Sequence, residues 1–89
     1  MLFMVVERFR RGPKPVYERL AARGRMLPDG LEYVDSWVDA KDSGRCFQLM
    51  ETDDPDLFEP WVAAWDDLAD LEVVPVLSSA EAARRSGRD

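Results

Sequence analysis

Seven residues carry most of the chemistry this chain can offer: Glu7, Tyr33, Asp35, Trp37, Cys46, Gln48 and Trp65. The sequence of 89 residues contains no histidine. Ser-His-Asp and Cys-His catalysis, ordinary zinc sites and a histidine-ligated haem are therefore disfavoured. The five glycines are scattered, so no glycine-rich phosphate loop exists. We expect no metal and no cofactor, and any acid–base step falls to a carboxylate, a tyrosine, a lysine or Cys46. A nucleophilic Cys46 needs a lowered pKa, which only an arginine or lysine can supply here; the alternative is a small buried hydrophobe. Gln48 lies in an apolar run, and a buried amide demands partners, so it is a structural tether or a ligand contact. Glu7 closes an apolar strand. It is either a general base with a raised pKa or one half of an ion pair with Arg8, Arg19 or Arg45.

These residues depend on the elements that carry them. Leu2 to Phe9 is a nearly continuous apolar run, read as a buried strand. Pro13 to about Arg25 reads as a helix, with a proline in its first turn and Gly24 near its stop. Leu31 to Val38 and Arg45 to Glu51 are two strands joined by the polar loop 39–44. Alternation places Tyr33, Asp35 and Trp37 on one face of the first. If Trp37 pairs with Cys46, then Asp35 faces Gln48, and Tyr33, Asp35, Trp37, Cys46 and Gln48 share one face; a slip of one residue scatters them. Asp53-Asp54-Pro55 starts a second helix. Its apolar stripe runs through Leu57, Phe58, Trp61, Val62, Trp65, Leu68 and Ala69. Trp61 and Trp65 are core residues or the wall of a ligand pocket. Pro60 breaks the pattern, because an interior proline removes a helix bond. Leu71 to Leu77 is the fourth strand. Ser78 and Glu81 form a capping box for a short terminal helix.

The order strand-helix-strand-strand-helix-strand predicts an α+β, ferredoxin-like βαββαβ domain with a four-stranded antiparallel sheet and two helices on one face. This domain spans residues 1–78, and residues 79–89 form a short helix and frayed tail. Pro75 and the acids Glu32, Asp35 and Asp39 place the fourth and second strands at the sheet edges. The first strand is apolar on both faces, and so is the fourth. Two helices cover only one face, so a second copy of the chain is expected to cover the other. A chain of this length also buries only roughly two-thirds of its unfolded surface, which favours dimers.

Charge is segregated. Residues 1–27 carry a net +5, residues 28–78 a net −12, and the whole chain −6. So acidic a chain is a poor nucleic-acid ligand. No run approaches the ~20 apolar residues of a membrane span. The opening apolar run stops at Glu7 with no basic region before it, so we expect no secretory signal. Cys46 is the lone cysteine, and a cytoplasmic location is expected.

The segments Met4-Val5-Val6-Glu7-Arg8-Phe9, Gly30 to Val38 and Arg45 to Asp54 resemble a family of small bacterial proteins carrying a domain of unknown function. The resemblance covers residue 1 to about residue 83, and Pro60 departs from it. That family is similar to the dimeric α/β-barrel group, which includes small cofactor-free monooxygenases, isomerases and cyclases, haem binders and proteins without known activity. The resemblance implies a homodimer with a ligand cleft between the sheet and helices of each subunit. It transfers no mechanism. Two functions follow as expectations. The first is a non-enzymatic dimer that binds a small ligand or simply assembles. The second is a cofactor-independent enzyme acting on a small aromatic or polyketide-like compound, with Tyr33, Trp37 and Gln48 holding an enolate or phenolate while Glu7 or Asp35 moves a proton.

Overall fold

A computed structural model describes residues 1–87 of the chain. Eight apolar-rich residues form β1 (Leu2–Phe9), and Gly12 and Pro13 turn the chain into α1 (Pro13–Arg23). A two-residue turn joins β2 (Glu32–Asp39) to β3 (Asp42–Glu51). A short 3-10 turn (Pro55–Leu57) then leads into α2 (Phe58–Trp65), followed by β4 (Ala69–Val76) and α3 (Ser79–Arg85). The fold is α+β, and all three sheet pairings are antiparallel. The strand order is β2-β3-β1-β4, which puts Pro75 on an edge strand, where its missing N–H costs no ladder bond.

The second helix differs from the expectation in start and end. Asp54 does cap: its side chain accepts from the Asp56 backbone N–H at 3.1 Å. What it caps is the 3-10 turn. The α-helix begins at Phe58, so Pro60 is its third residue, where the backbone N–H has no intrahelical partner in any case. No kink is needed. The helix ends at Trp65, and Ala69, expected in its apolar stripe, opens β4 instead. Strand β3 begins three residues earlier than read, which shortens the hairpin loop to Ala40-Lys41. The terminal helix starts as its capping box requires, with Ser78 Oγ accepting from the Glu81 N–H at 3.1 Å.

The sheet has one covered face. Phe3, Val5, Glu7 and Phe9 of β1 point toward the helices and are 7% exposed or less. Phe3 meets Phe58 edge to face at 5.0 Å, and Phe58 meets Trp61 at 6.1 Å. Trp61, Met50 and Val5 are the largest fully buried side chains. Burial of a side chain of this kind contributes about 1.5–3 kcal/mol. Leu2, Met4 and Val6 point the other way, beside Phe47 and Leu49 of β3 and Val74 and Val76 of β4. The described chain measures 45 × 32 × 17 Å. Its thinnest dimension suits one sheet backed by one helical layer, since such layers pack ~10 Å apart. No helix is long and apolar enough to cross a membrane among the described residues.

Candidate functional site

Period-two alternation decides which side chains of a strand meet the helices, and one bulge changes the answer for β2. The register shifts between Tyr33 and Asp35. Tyr33 pairs with Met50 as expected. Beyond the shift, Ser36 pairs with Gln48, Trp37 with Phe47 and Val38 with Cys46. The expected Trp37–Cys46 and Asp35–Gln48 pairings are therefore wrong. A bulge inserts one residue into one strand and so exchanges the faces of everything after it. Asp35 and Trp37 lie on the open face, with Trp37 49% exposed. Ser36 takes the place expected for Asp35, and the Tyr33 hydroxyl lies 2.6 Å from Ser36 Oγ.

Between sheet and helices stands a polar cluster from β1 and β3. Glu7 is only 4% exposed. Its carboxyl oxygen Oε2 accepts from Gln48 Nε2, and Cys46 lies beside the same carboxyl. It pairs with none of the expected arginines. Arg8 goes to Asp42 at 3.0 Å, Arg19 to Asp67 at 2.7 Å, and Arg45 lies 3.8 Å from Asp39. Burial raises the Glu7 pKa above the ordinary 4.5, against the opposing pull of Gln48, Cys46 and the Arg25 charge. Burial, then the neighbouring Glu7 charge, pushes the Cys46 thiol up to about 11. Cys46 is thus a thiol at neutral pH and no nucleophile. Gln48 Oε1 is buried and has no hydrogen-bond partner among the described residues.

The loop 24–31 closes this cluster. Gly24 and Gly30 have φ of +67° and +96° and bracket Met26, itself left-handed at +57°. A Cβ on Gly30 would stand 3.0 Å from Leu57 Cδ1. The backbone oxygen of Arg25 accepts from the indole N–H of both Trp61 and Trp65, at 3.0 and 3.1 Å. Spacing of i and i+4 on α2 puts the two indoles on one face, where each buried N–H finds the same acceptor. The Arg25 guanidinium carbon lies 3.6 Å from the Tyr33 ring centroid. Arg19 locks α1 to the end of α2 through both Asp67 oxygens and the Ala64 carbonyl, and it holds the Asp67 carboxyl down to about 2.

Of the seven residues singled out by type, the fold brings together Glu7, Tyr33, Cys46 and Gln48 in one layer, with Trp65 at its helical wall. Asp35 and Trp37 are absent from it. Arg25 and Ser36 are the additions. In the sequence Arg25 is only one of the basic residues that give residues 1–27 their net positive charge. The signal that points to it is a pair of buried indole donors needing an acceptor, which requires the loop conformation. Among the described residues, surface clefts of 210, 380 and 430 Å³ are formed; Glu7 and Arg8 line the first, and none of these is lined by Gln48, Cys46 or Tyr33. The interior cluster is closed over rather than open.

Fold and site together define a small α+β domain: a four-stranded antiparallel sheet, three helices, and one polar cluster in its covered face. The family described as Domain of unknown function (DUF3303) matches residues 1–88, and the chain belongs to it. No curated protein and no solved structure matches the chain.

Proposed function

We propose that the chain is a ferredoxin-like subunit of a dimeric α/β barrel that binds a small ligand against Glu7 and Gln48, between its sheet and helices. One observation carries the ligand assignment: Gln48 Oε1 is buried without a partner, beside a buried carboxyl. An orphaned buried acceptor costs about 1–3 kcal/mol, and a ligand donor removes that cost. Screening small metabolites by thermal shift against the wild type and Gln48→Leu tests this. Stabilisation by a compound, lost in the variant, supports the site. The absence of any such compound sinks it and leaves assembly as the function.

The second copy is expected on the open face. Four strands of eight residues or more cover roughly 500 Å² of sheet, at ~4.8 Å spacing and ~3.3 Å rise. Two such faces together bury on the order of 1,000 Å² or more, at the low end of stable interfaces. The ends of the face carry like charges side by side: Arg8 pairs with Arg45 across the ladder at one end, and Glu32 with Glu51 at the other. Within the chain Arg8 is answered by Asp42, Arg45 by Asp39 and Glu51 by the terminal amine. A two-fold axis that lays the sheets end for end sets the arginines of one copy against the glutamates of the next. Sedimentation showing only monomer at micromolar protein rejects the dimer.

The raised pKa of Glu7 favours one second reading, a cofactor-independent enzyme on a small aromatic or polyketide-like compound, and the closed packing beside Gln48 counts against it. Glu7 is its proton carrier, since Asp35 and Trp37 stand on the other face and Cys46 holds its proton. Proton exchange of a bound enolisable compound into deuterated water, abolished by Glu7→Gln, distinguishes it from simple binding.

A further inference from the structure

We infer that Arg25 is the anion contact of the polar cluster between sheet and helices, and that the ligand is a small organic anion that also carries a hydrogen-bond donor. The inference rests on the ligand-binding reading above and names the class of compound. It starts from the fate of the basic residues. Arg8, Arg10, Arg19, Arg45, Arg84 and Arg85 each stand within 4 Å of a carboxylate. Arg11, Lys14, Arg23 and Lys41 form no ion pair among the described residues, but they are exposed, where water solvates them. Arg25 also lacks an ion pair among the described residues, yet it is half-buried. Its guanidinium rests on the Tyr33 ring and donates no hydrogen bond to any described residue. A stacked guanidinium gains from the ring, but its planar fork of N–H donors remains unanswered.

Two unanswered groups of opposite demand thus share one layer. The guanidinium asks for an anionic acceptor, and Gln48 Oε1 asks for a donor. The Tyr33 ring under the guanidinium reaches Ser36 through its hydroxyl, and Ser36 pairs with Gln48 across the ladder, which places Arg25 over the same face. A carboxylate with a neighbouring hydroxyl answers both groups at once. A neutral ligand answers one. Glu7 accepts from Gln48 and feels the Arg25 charge, but no ion pair within 4 Å joins it to Arg25 among the described residues.

The loop that carries Arg25 is tied to α2 rather than to the sheet. Its ends are the glycines with φ of +67° and +96°, and its middle is held by the two indole bonds to the Arg25 oxygen. Those indoles make a reporter. A ligand that shifts Arg25 changes the environment of both N–H groups.

The experiment titrates three probes, salicylate, benzoate and phenol, into the wild type, Arg25→Gln, Arg25→Lys and Gln48→Leu. Affinity is read by calorimetry and the two indole N–H signals by nitrogen–proton correlation NMR. Salicylate, with anion and donor, is expected to bind the wild type at least about tenfold more tightly than phenol. Arg25→Gln removes that advantage and Arg25→Lys restores part of it. Gln48→Leu weakens salicylate and phenol but leaves benzoate unchanged. The indole signals of the wild type move on binding. If phenol and salicylate bind equally and depend on Gln48 but not on Arg25, the anion assignment is overturned while the Gln48 site survives. If no probe moves the indole signals at roughly millimolar concentration, both fall. Should Arg25→Gln not fold, the comparison of probes on the wild type and on Arg25→Lys decides.

Discussion

The two faces of the sheet are built from the same strands and nearly the same residue types, but only one is finished. On β1, Phe3, Val5 and Phe9 alternate with Leu2, Met4 and Val6. The first set is buried under α1 and α2, and the second is only partly buried. The difference lies in the polar residues each face admits. The covered face takes in Glu7 and Gln48 and satisfies them almost completely against each other. The open face carries Arg8 and Arg45 at one end and Glu32 and Glu51 at the other, with Asp35 and Glu72 between them beside its apolar residues. A buried face tolerates polarity where it is paired.

This contrast can be broken from either side. The largest effect is expected on the covered face. Trp61→Ala removes a side chain that is 1% exposed and takes one indole bond from the Arg25 oxygen. It should cost about 3–5 kcal/mol, read as a shifted midpoint in chemical denaturation. Phe47→Glu, on the open face, should leave the monomer fold intact, with an unchanged circular dichroism spectrum, but abolish self-association in sedimentation. A dimer that persists in this variant means the second copy sits elsewhere. Gly30→Ala tests the loop that seals the covered face. Its φ of +96° and the 3.0 Å approach to Leu57 make a loss of about 1–2 kcal/mol the expected outcome.

The smallest effect sharpens the contrast through pH. Glu7 has a folded pKa above its ordinary 4.5. The folded chain therefore holds the proton more tightly than the unfolded chain. Its stabilising contribution is complete below pH 4.5 and declines as pH rises through the raised value. Glu7→Gln should flatten that decline, seen in denaturation midpoints collected from acid to neutral pH. A wild type and variant with parallel pH profiles would show that Glu7 titrates normally. Cys46 behaves alike further up the scale. Its thiol, moved from 9.0 to about 11, should react with iodoacetamide at neutral pH far more slowly than an unfolded control.

Much of the fold was legible. Turn and cap residues marked element starts: Pro13 at α1, Asp54 before Pro55, and Ser78 three residues before Glu81. Element order followed from these signals together with hydrophobic period. The start of α2 was misjudged because Asp54-Pro55 is an equally good start for a 3-10 turn, and Pro60 was the clue to the later helix. The polar cluster was half legible. Glu7, Cys46 and Gln48 were found by being polar or reactive in apolar strands. Asp35 and Trp37 were misassigned because the bulge is encoded in no residue that strict alternation can see.

From the sequence by itself came the class of the fold, the strands, the marking of β2 and β4 as edges, and the exclusion of histidine-based chemistry. These rest on local chemistry, on composition and on periodicity, which each short segment carries within itself. Tertiary structure alone decided which side chains meet. It set the bulge after Tyr33, turned Ser36 inward and Trp37 outward, and brought Arg25 from a loop onto the Tyr33 ring. The physical reason is that a register, a loop path and an ion pair are settled by competition among distant segments for the same space. A segment read alone does not contain that competition.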